Sequence, residues 1–239
     1  MEETIPEAAV KPPVNWLWRA VVLAAITLMV PSVAYMGLFE ILSSPYYGMP
    51  KYLAEFLGAS AALFLSLLTL KVLNDREALG LDIKNLFPVR PFRRTALVFL
   101  AGAAAEAVVI AVYLVLALKY YRDYEGGTGI AKMWLGNDKW FFVFASTALY
   151  AACEEIFLRG IVFTYIKKHA GFLKALLVSS LIFSLMHGGR LWLSLLMIFF
   201  SGVIYALAYE KTRSLAVPCL LHGMHNSALR VILVLGLLE

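Results

Sequence analysis

The chain of 239 residues is 62% hydrophobic and 15% charged, with a mean hydropathy of +0.78. A soluble domain is about 45–50% apolar and about 25% charged. This composition excludes an ordinary soluble domain and favours a polytopic membrane protein embedded in the lipid bilayer, which is thus a predicted partner. The net charge of +5 is accounted for by the placement of basic loops, and with no nucleic-acid motif in the chain we predict no nucleic-acid partner.

Apolar windows long enough to span the hydrocarbon core recur along the whole chain. A core about 30 Å thick requires about 20 residues of helix. In chain order, such windows lie at 16–39, 52–73, 95–118, 140–163, 172–188, 191–209 and 214–238, the fifth being shorter than the rest. The sequence therefore predicts an all-α fold with about seven transmembrane helices, forming a single integral-membrane domain over residues 1–239.

The loops between these windows alternate in charge. Lys and Arg are about twice as numerous on one side of a seven-span arrangement as on the other, and cytoplasmic loops carry the excess of Lys and Arg. The sequence thus predicts a cytoplasmic N-terminus and an external C-terminus. The short architecture is typical of a multi-pass protein of a prokaryotic plasma membrane.

Three charges lie at membrane depth in the fourth window. Glu154 and Glu155 are adjacent, and Arg159 follows one helical turn after Glu155. Each charge costs at least about 2.5 to 3.5 kcal/mol on insertion scales, so a specific role is expected. Residues four apart share a helix face whereas neighbours do not, which predicts a Glu155–Arg159 pair and leaves Glu154 as a candidate base. A structural Glu–Arg bridge between packed helices is the alternative.

Two later windows place histidines at a similar depth. Phe183 and His187 share a face at the end of the fifth window, as do His222 and Asn226 in the last. Counted from the predicted cytoplasmic ends at about 1.5 Å per residue, Glu154, His187 and His222 lie about 13 to 20 Å deep. A buried hydrolytic site needs a base, a group that positions water and donors for an oxyanion. We therefore predict that the acid, the two histidines and the asparagine line one cavity near the bilayer midplane.

These polar residues fall into three ordered motifs, which run from Glu154 through Glu155 to Arg159, from Phe183 to His187 and from His222 to Asn226. They resemble the motifs Glu-Glu-x-x-x-Arg, Phe-x-x-x-His and His-x-x-x-Asn/Asp of the CPBP family, the CAAX protease and bacteriocin-processing enzymes also called the Abi family. The resemblance covers about residues 140–235, which we interpret as the catalytic core. Residues 1–130 agree with the family only in being helical and membrane-embedded.

The resemblance implies a glutamic-type intramembrane endopeptidase without a cofactor, metal or covalent acyl-enzyme. By this resemblance, Glu154 and His187 activate a water molecule for attack on a peptide carbonyl. His222 and Asn226 of the last motif stabilise the tetrahedral oxyanion, while Glu155 and Arg159 shape the site.

The substrate and the oligomeric state stay open at this level. A prenylated C-terminal tail, the leader peptide of a secreted peptide and the C-terminal sorting helix of a surface protein are all candidates, because a midplane site is open to either side or to the lipid. The alternative function is a non-catalytic membrane scaffold or bacteriocin-immunity protein. A proton-relay transporter is disfavoured, because the sequence shows no inverted repeat or pair of broken helices.

Four polar or aromatic residues in the apolar windows have further predicted roles. Arg230 extends the last motif by one turn and is a candidate for holding a substrate carboxylate, with a snorkelling anchor as the alternative; Phe183 is the second substrate-binding candidate. Glu106 lies on a small-residue face suited to close helix contact and is predicted either to pair with an arginine or to line the cavity. His225 follows His222 by three residues, but a third zinc ligand at the usual spacing is missing, so no metal is predicted.

Other classes of intramembrane protease are not matched. A site-2-type metalloprotease needs His-Glu-x-x-His on a helix, and the chain has no such string. Aspartyl proteases need Asp within the membrane, whereas every Asp of this chain falls in a predicted loop. A rhomboid-like dyad has only Ser201 with His222 to use, and Phe199 stands where its glycine is expected. Of the classes of intramembrane protease considered, the glutamic class is the one that the sequence still matches.

Overall fold

The computed structural model describes residues 15–89, 91–120, 140–187 and 192–234, and every regular element in these ranges is helical. The elements are α1 (Trp16–Ser43), α2 (Lys51–Glu77), a 3-10 turn (Ile83–Asn85), α3 (Phe92–Tyr120), α4 (Trp140–Glu155), a π-helical segment (Ile156–Phe163), α5 (Thr164–Ala170), α6 (Phe172–Met186), α7 (Trp192–Thr212) and α8 (Ala216–Val234). The all-α prediction is confirmed. The window ends predicted at 188, 191 and 235–238 lie outside the described residues.

Four of the described helices are long and apolar enough to cross a membrane, namely α1, α2, α3 and α7. Their outer faces expose large apolar side chains such as Phe64 and Val108, as lipid-facing surfaces do. Helix α6 has 15 residues and at about 1.5 Å per residue it reaches only about 22 Å, less than the roughly 30 Å of the hydrocarbon core. The protein is thus a multi-pass membrane protein. Four of the seven predicted spans meet these criteria among the described residues, and the exact count of seven is not confirmed.

The helix that carries the first motif lies at the centre of the molecule. Its three parts, α4, the π-helical segment and α5, follow one another without a break. All eight residues of the π-helical segment are buried, in contact with α1, α2 and α6. Helix α4 packs against α2 and α8, while α7 packs against α3 and α6. This packing buries Glu155 and Arg159 completely.

The π-helical segment begins directly after Glu155 and includes Arg159. The hydroxyl of Thr164 donates to the carbonyl oxygen of Arg159, five residues earlier, at 2.9 Å. Short π-helical stretches inside α-helices occur frequently at functional sites. The sequence predicted a regular helix here, and the difference is a local widening at the point where the motif enters the core.

Small residues let the helices around the motif approach closely. A Cβ atom added at Gly202 of α7 would lie 3.2 Å from the Cα of Ser180 and 3.0 Å from the ring of Phe183, both on α6. A Cβ atom added at Gly102 of α3 would lie 2.7 Å from a methyl group of Leu221 on α8. A side chain at Gly202 would require α6 to shift, so this glycine permits the close approach of α6 and α7, whereas at Gly102 the end of the Leu221 side chain would have to move.

Candidate active site

Arg159 is fully buried and is held by groups from two helices. Its Nη1 donates to Oε1 of Glu155 at 3.0 Å, and its Nη2 donates to the carbonyl oxygen of Gly202 at 2.7 Å. The guanidinium also lies 5.0 Å from the ring centre of Phe183 and 5.4 Å from that of Tyr205, within the range of cation–π attraction. The predicted Glu155–Arg159 pair is confirmed, and the arginine ties α7 to the central helix.

His222 lies between the two glutamates of the first motif. Its Nδ1 is 2.9 Å from Oε1 of Glu155, and its Nε2 is 3.6 Å from Oε2 of Glu154. A carboxylate only accepts hydrogen bonds, so Nδ1 carries the proton that points to Glu155. The ring of Tyr205 stacks on the imidazole at 5.1 Å with an interplanar angle of 20°. Glu155 therefore orients His222 as well as Arg159, a contact that sequence spacing did not predict.

His187 caps the C-terminus of α6 and is oriented by its own helix. Its Nδ1 is 2.8 Å from the carbonyl oxygen of Phe183, which only accepts, so Nδ1 is the protonated nitrogen. In the neutral ring Nε2 is then the acceptor. The edge of one ring meets the face of the other, with the centres of Phe183 and His187 5.0 Å apart. In this tautomer Nε2 is the ring nitrogen with the lone pair that can accept a proton.

A cavity of about 790 Å³ brings the predicted residues together, since Glu154, His187, His222 and Asn226 all line it. The predicted convergence of these four side chains is thus confirmed. The two glutamates differ in access, because the side chain of Glu154 is 12% exposed whereas that of Glu155 is fully buried. The volume lies within the roughly 300–1,000 Å³ of sites that bind small ligands.

The two substrate-binding candidates also line this cavity, which includes Phe183 and Arg230. The ring of Phe183 is almost fully buried and meets the His222 ring edge-on at 5.2 Å, so it forms a wall of the cavity. Sequence reasoning missed several further lining residues, among them Glu55 and Tyr205. Glu55 carried a usable signal, a charge inside the second apolar window, whereas nothing in the spacing pointed to Tyr205.

Glu106 belongs to a second buried polar cluster beside the cavity. Its Oε2 is 2.7 Å from Nδ1 of His225 and accepts a hydrogen bond from Ser201 at 3.0 Å. Its partners are therefore a histidine and a serine rather than the arginine considered from the sequence. Ser201 and His225 line the cavity.

The geometry of this cluster fits neither a serine dyad nor a zinc pair. The hydroxyl of Ser201 is 3.5 Å from Nδ1 of His225, the nitrogen that already faces Glu106, whereas a serine–histidine–acid relay uses the two ring nitrogens separately. His225 faces Glu106 on α3, while His222 faces the first motif. Among the described residues, no group of three or more His, Cys, Asp and Glu side chains is arranged to hold a metal ion.

We predict that Glu106→Ala destabilises the protein by about 1–3 kcal/mol, because it leaves two buried partners without their acceptor. Glu106→Gln keeps an acceptor oxygen and should cost clearly less. Thermal unfolding in detergent, followed by circular dichroism, measures both. Glu40→Ala, at an exposed position of α1, is the matched control and should leave the transition within error. An Ala variant as stable as the wild type would contradict the assigned contacts.

Comparison with known proteins finds a similarity to one family over the part of the chain that carries the motifs. Residues 136–228 match the family model described as type II CAAX prenyl endopeptidase Rce1-like, and this range contains all three motifs. No curated protein and no solved structure matches the chain. The resemblance to the CAAX protease family is therefore confirmed over residues 136–228, which are similar to the Rce1-like family model.

Proposed function

We propose that the chain is an intramembrane peptidase in which Glu154 activates a water molecule for attack on a peptide bond. The observation that supports this most directly is the division between the two glutamates. Glu155 is committed to Arg159 and His222, whereas Glu154 lines the cavity and lies 3.6 Å from Nε2 of His222. A carboxylate that no arginine neutralises, beside a space large enough for a peptide segment, has the properties of a general base.

The proposed reaction needs only the groups that line the cavity. Glu154, with Nε2 of His187 as the second acceptor, takes a proton from water as the water oxygen bonds to the carbonyl carbon. The carbonyl oxygen becomes an oxyanion, which the side chains of Asn226 and His222 stabilise. The proton then passes to the leaving nitrogen as the carbon–nitrogen bond breaks. No covalent enzyme intermediate forms.

Glu155 and Arg159 have an indirect role in this proposal. The carboxylate of Glu155 accepts from Nδ1 of His222, so the ring is held with Nε2 toward Glu154. Arg159 compensates the buried charge of Glu155 and is itself held by the carbonyl oxygen of Gly202. The pair is therefore proposed to position the histidine, as outer partners of catalytic groups do.

For the substrate we propose a protein with a prenylated C-terminal tail, because the matching family model is described as a CAAX prenyl endopeptidase. Leader peptides and C-terminal sorting helices are the other substrates to test. We further propose that residues 140–235 form the catalytic core within a single membrane domain. The short architecture supports a plasma-membrane location, and the basic loops support a cytoplasmic N-terminus and an external C-terminus.

The test is cleavage of a prenylated peptide by the purified protein, read by mass spectrometry. We expect the wild type to cleave in the presence of EDTA, and His187→Ala to lower the turnover by about 10²-fold or more, the usual contribution of a positioned base. His169→Ala is the matched control, because His169 lies on α5 and packs against Tyr165.

Three results would oppose the proposal. Full turnover by His187→Ala would remove this histidine from the mechanism. Loss of wild-type activity with EDTA would indicate a metalloenzyme. Failure to cleave any of the three kinds of substrate would favour a scaffold or bacteriocin-immunity role.

A further inference from the structure

A second histidine of α8, His225, lines the same cavity and has a carboxylate partner of its own. Nδ1 of His225 is 2.7 Å from Oε2 of Glu106 on α3, and Nδ1 of His222 is 2.9 Å from Oε1 of Glu155. Both histidines line the cavity, and both acids are almost completely buried. The protein therefore has two acid–imidazole pairs beside one space, and the proposed reaction uses only the pair that contains His222.

The contact with Glu106 determines which nitrogen of His225 can act. A carboxylate only accepts hydrogen bonds, so Nδ1 carries a proton and Nε2 is the nitrogen left to exchange protons with the cavity. A second proton on Nε2 gives an imidazolium, whose charge the carboxylate of Glu106 compensates at 2.7 Å. The buried aspartate of a serine protease stabilises its imidazolium in the same way.

The carboxylate of Glu106 is less engaged than a purely structural contact would leave it. Its Oε2 accepts from Ser201 at 3.0 Å and faces His225, whereas its Oε1 is buried and has no hydrogen-bond partner among the described residues. Buried polar atoms in native proteins are mostly paired, and an exception calls for an explanation. A carboxylate that accepts few hydrogen bonds holds a neighbouring proton more strongly. Glu106 is therefore suited to stabilise a charged His225.

The position of His225 on α8 brings it near the bond that would be cleaved. His225 lies three residues after His222 and directly before Asn226, the two residues proposed to stabilise the oxyanion. Side chains three apart on a helix have Cβ atoms about 5–6 Å apart. In a peptide, bond lengths place the nitrogen about 2.2 Å from the carbonyl oxygen. A proton donor for that nitrogen must lie close to the oxyanion site, and His225 meets this condition.

We propose that His225 is the general acid of the reaction, which donates the proton on Nε2 to the leaving nitrogen, and that Glu106 is its positioning residue. This inference rests on the proposed peptidase function. It assigns the release of the amine to a different side chain from Glu154, which takes up the proton of water.

The proposed step transfers one proton and breaks one bond. The lone pair of the leaving nitrogen takes the proton from Nε2 of His225, and the electrons of the carbon–nitrogen bond remain on nitrogen. A lone pair of the oxyanion re-forms the carbonyl, so the products are a carboxylic acid and an amine. The proton that Glu154 took from water then restores His225 by way of water in the cavity. One water molecule is consumed in each turnover, and both residues return to their starting states.

The test compares two forms of one prenylated peptide, with either a peptide bond or a thioester at the cleaved position. An ordinary thiol ionises at a pKa of about 8.5, so a thiolate leaves without being protonated, whereas an amide nitrogen does not. We expect His225→Asn, which keeps an N–H donor for Glu106, to lower kcat on the peptide bond by about 10²-fold or more. On the thioester its kcat should stay within about threefold of the wild type, since no general acid is needed there.

Glu106→Gln tests the positioning residue by the same comparison. Its amide oxygen still accepts from Nδ1 but no longer compensates an imidazolium, so cleavage of the peptide bond should fall by about tenfold. Cleavage of the thioester should be unchanged. The matched control is His169→Asn, the same change on α5, which should cleave both forms at the wild-type rate.

Two results would overturn the role of His225 and leave the peptidase proposal intact. Equal losses on both substrates in His225→Asn would indicate a structural role, and wild-type rates on both would exclude proton donation by this residue. If His225→Asn does not accumulate in membranes, Glu106→Gln decides the question, because equal effects on the two substrates contradict the inference. Failure of the wild type to cleave either form would overturn the prenylated-peptidase proposal and this inference with it.

Discussion

Glu154→Gln is expected to abolish cleavage, lowering kcat by about 10³–10⁴-fold, at the upper end of what a general base contributes. Glutamine keeps the size and one acceptor oxygen of the side chain but cannot take a proton. Because Glu154 is partly exposed to the cavity and is not paired with Arg159, the substitution should leave folding nearly unchanged. Product formation from the prenylated peptide, measured together with thermal unfolding, separates the two effects.

The control for this experiment is Glu40→Gln, the same change at an exposed position of α1, which should retain full activity. Glu154→Ala should be as inactive as the glutamine variant, because both lack the carboxylate. If both Glu154 variants accumulate normally and cleave at the wild-type rate, Glu154 is not the base and the peptidase proposal fails. Inactivity with unchanged melting would assign the loss to chemistry.

Arg159→Met is expected to destabilise the protein by about 3–5 kcal/mol, the usual effect of removing one partner of a buried ion pair. The side chains of Glu155 and Arg159 are both fully buried, so the remaining carboxylate would keep only His222 as a compensating group. The carbonyl oxygen of Gly202 would lose its donor as well. A lower thermal midpoint in detergent and reduced accumulation in membranes are the measured results.

A double variant distinguishes charge from packing. Adding Glu155→Gln to Arg159→Met removes the unpaired charge while an amide oxygen still accepts from His222, so part of the lost stability should return. The control is Arg213→Met, where the arginine is 63% exposed and an exposed pair is worth about 0–1 kcal/mol. An Arg159→Met protein as stable as this control would contradict the structural role of the pair.

The candidate site was predictable from sequence to an unusual degree because its residues are polar groups in an apolar chain. Helix periodicity alone predicted that Glu155 pairs with Arg159. The number of residues from the predicted cytoplasmic helix ends alone predicted that His187 and His222 lie at a similar depth. Both results depend on regular rise and rotation along single helices. Tyr205 was beyond this reasoning, because a tyrosine near the middle of an apolar helix carries no signal until its neighbour is known.

The number of membrane spans was also only partly predictable from the sequence. Apolar windows were counted by length and composition, and four of the described helices satisfy those criteria. Helix α6 is too short, and it ends at Met186, directly before His187, which lines the cavity. A window of apolar residues does not by itself reveal where its helix ends.

The sequence by itself determined the membrane class, the helical architecture and the resemblance of the motifs to one family, because composition and periodic spacing are properties of the chain alone. Only the tertiary structure decided that His222 bridges the two glutamates, that Glu106 meets His225 and that Glu55 meets Arg230. Each of these contacts joins residues from different helices, and their pairing depends on how closely the helices pack and how each is rotated. Helix packing determines these distances and rotations, and they cannot be read from the spacing of residues within one helix.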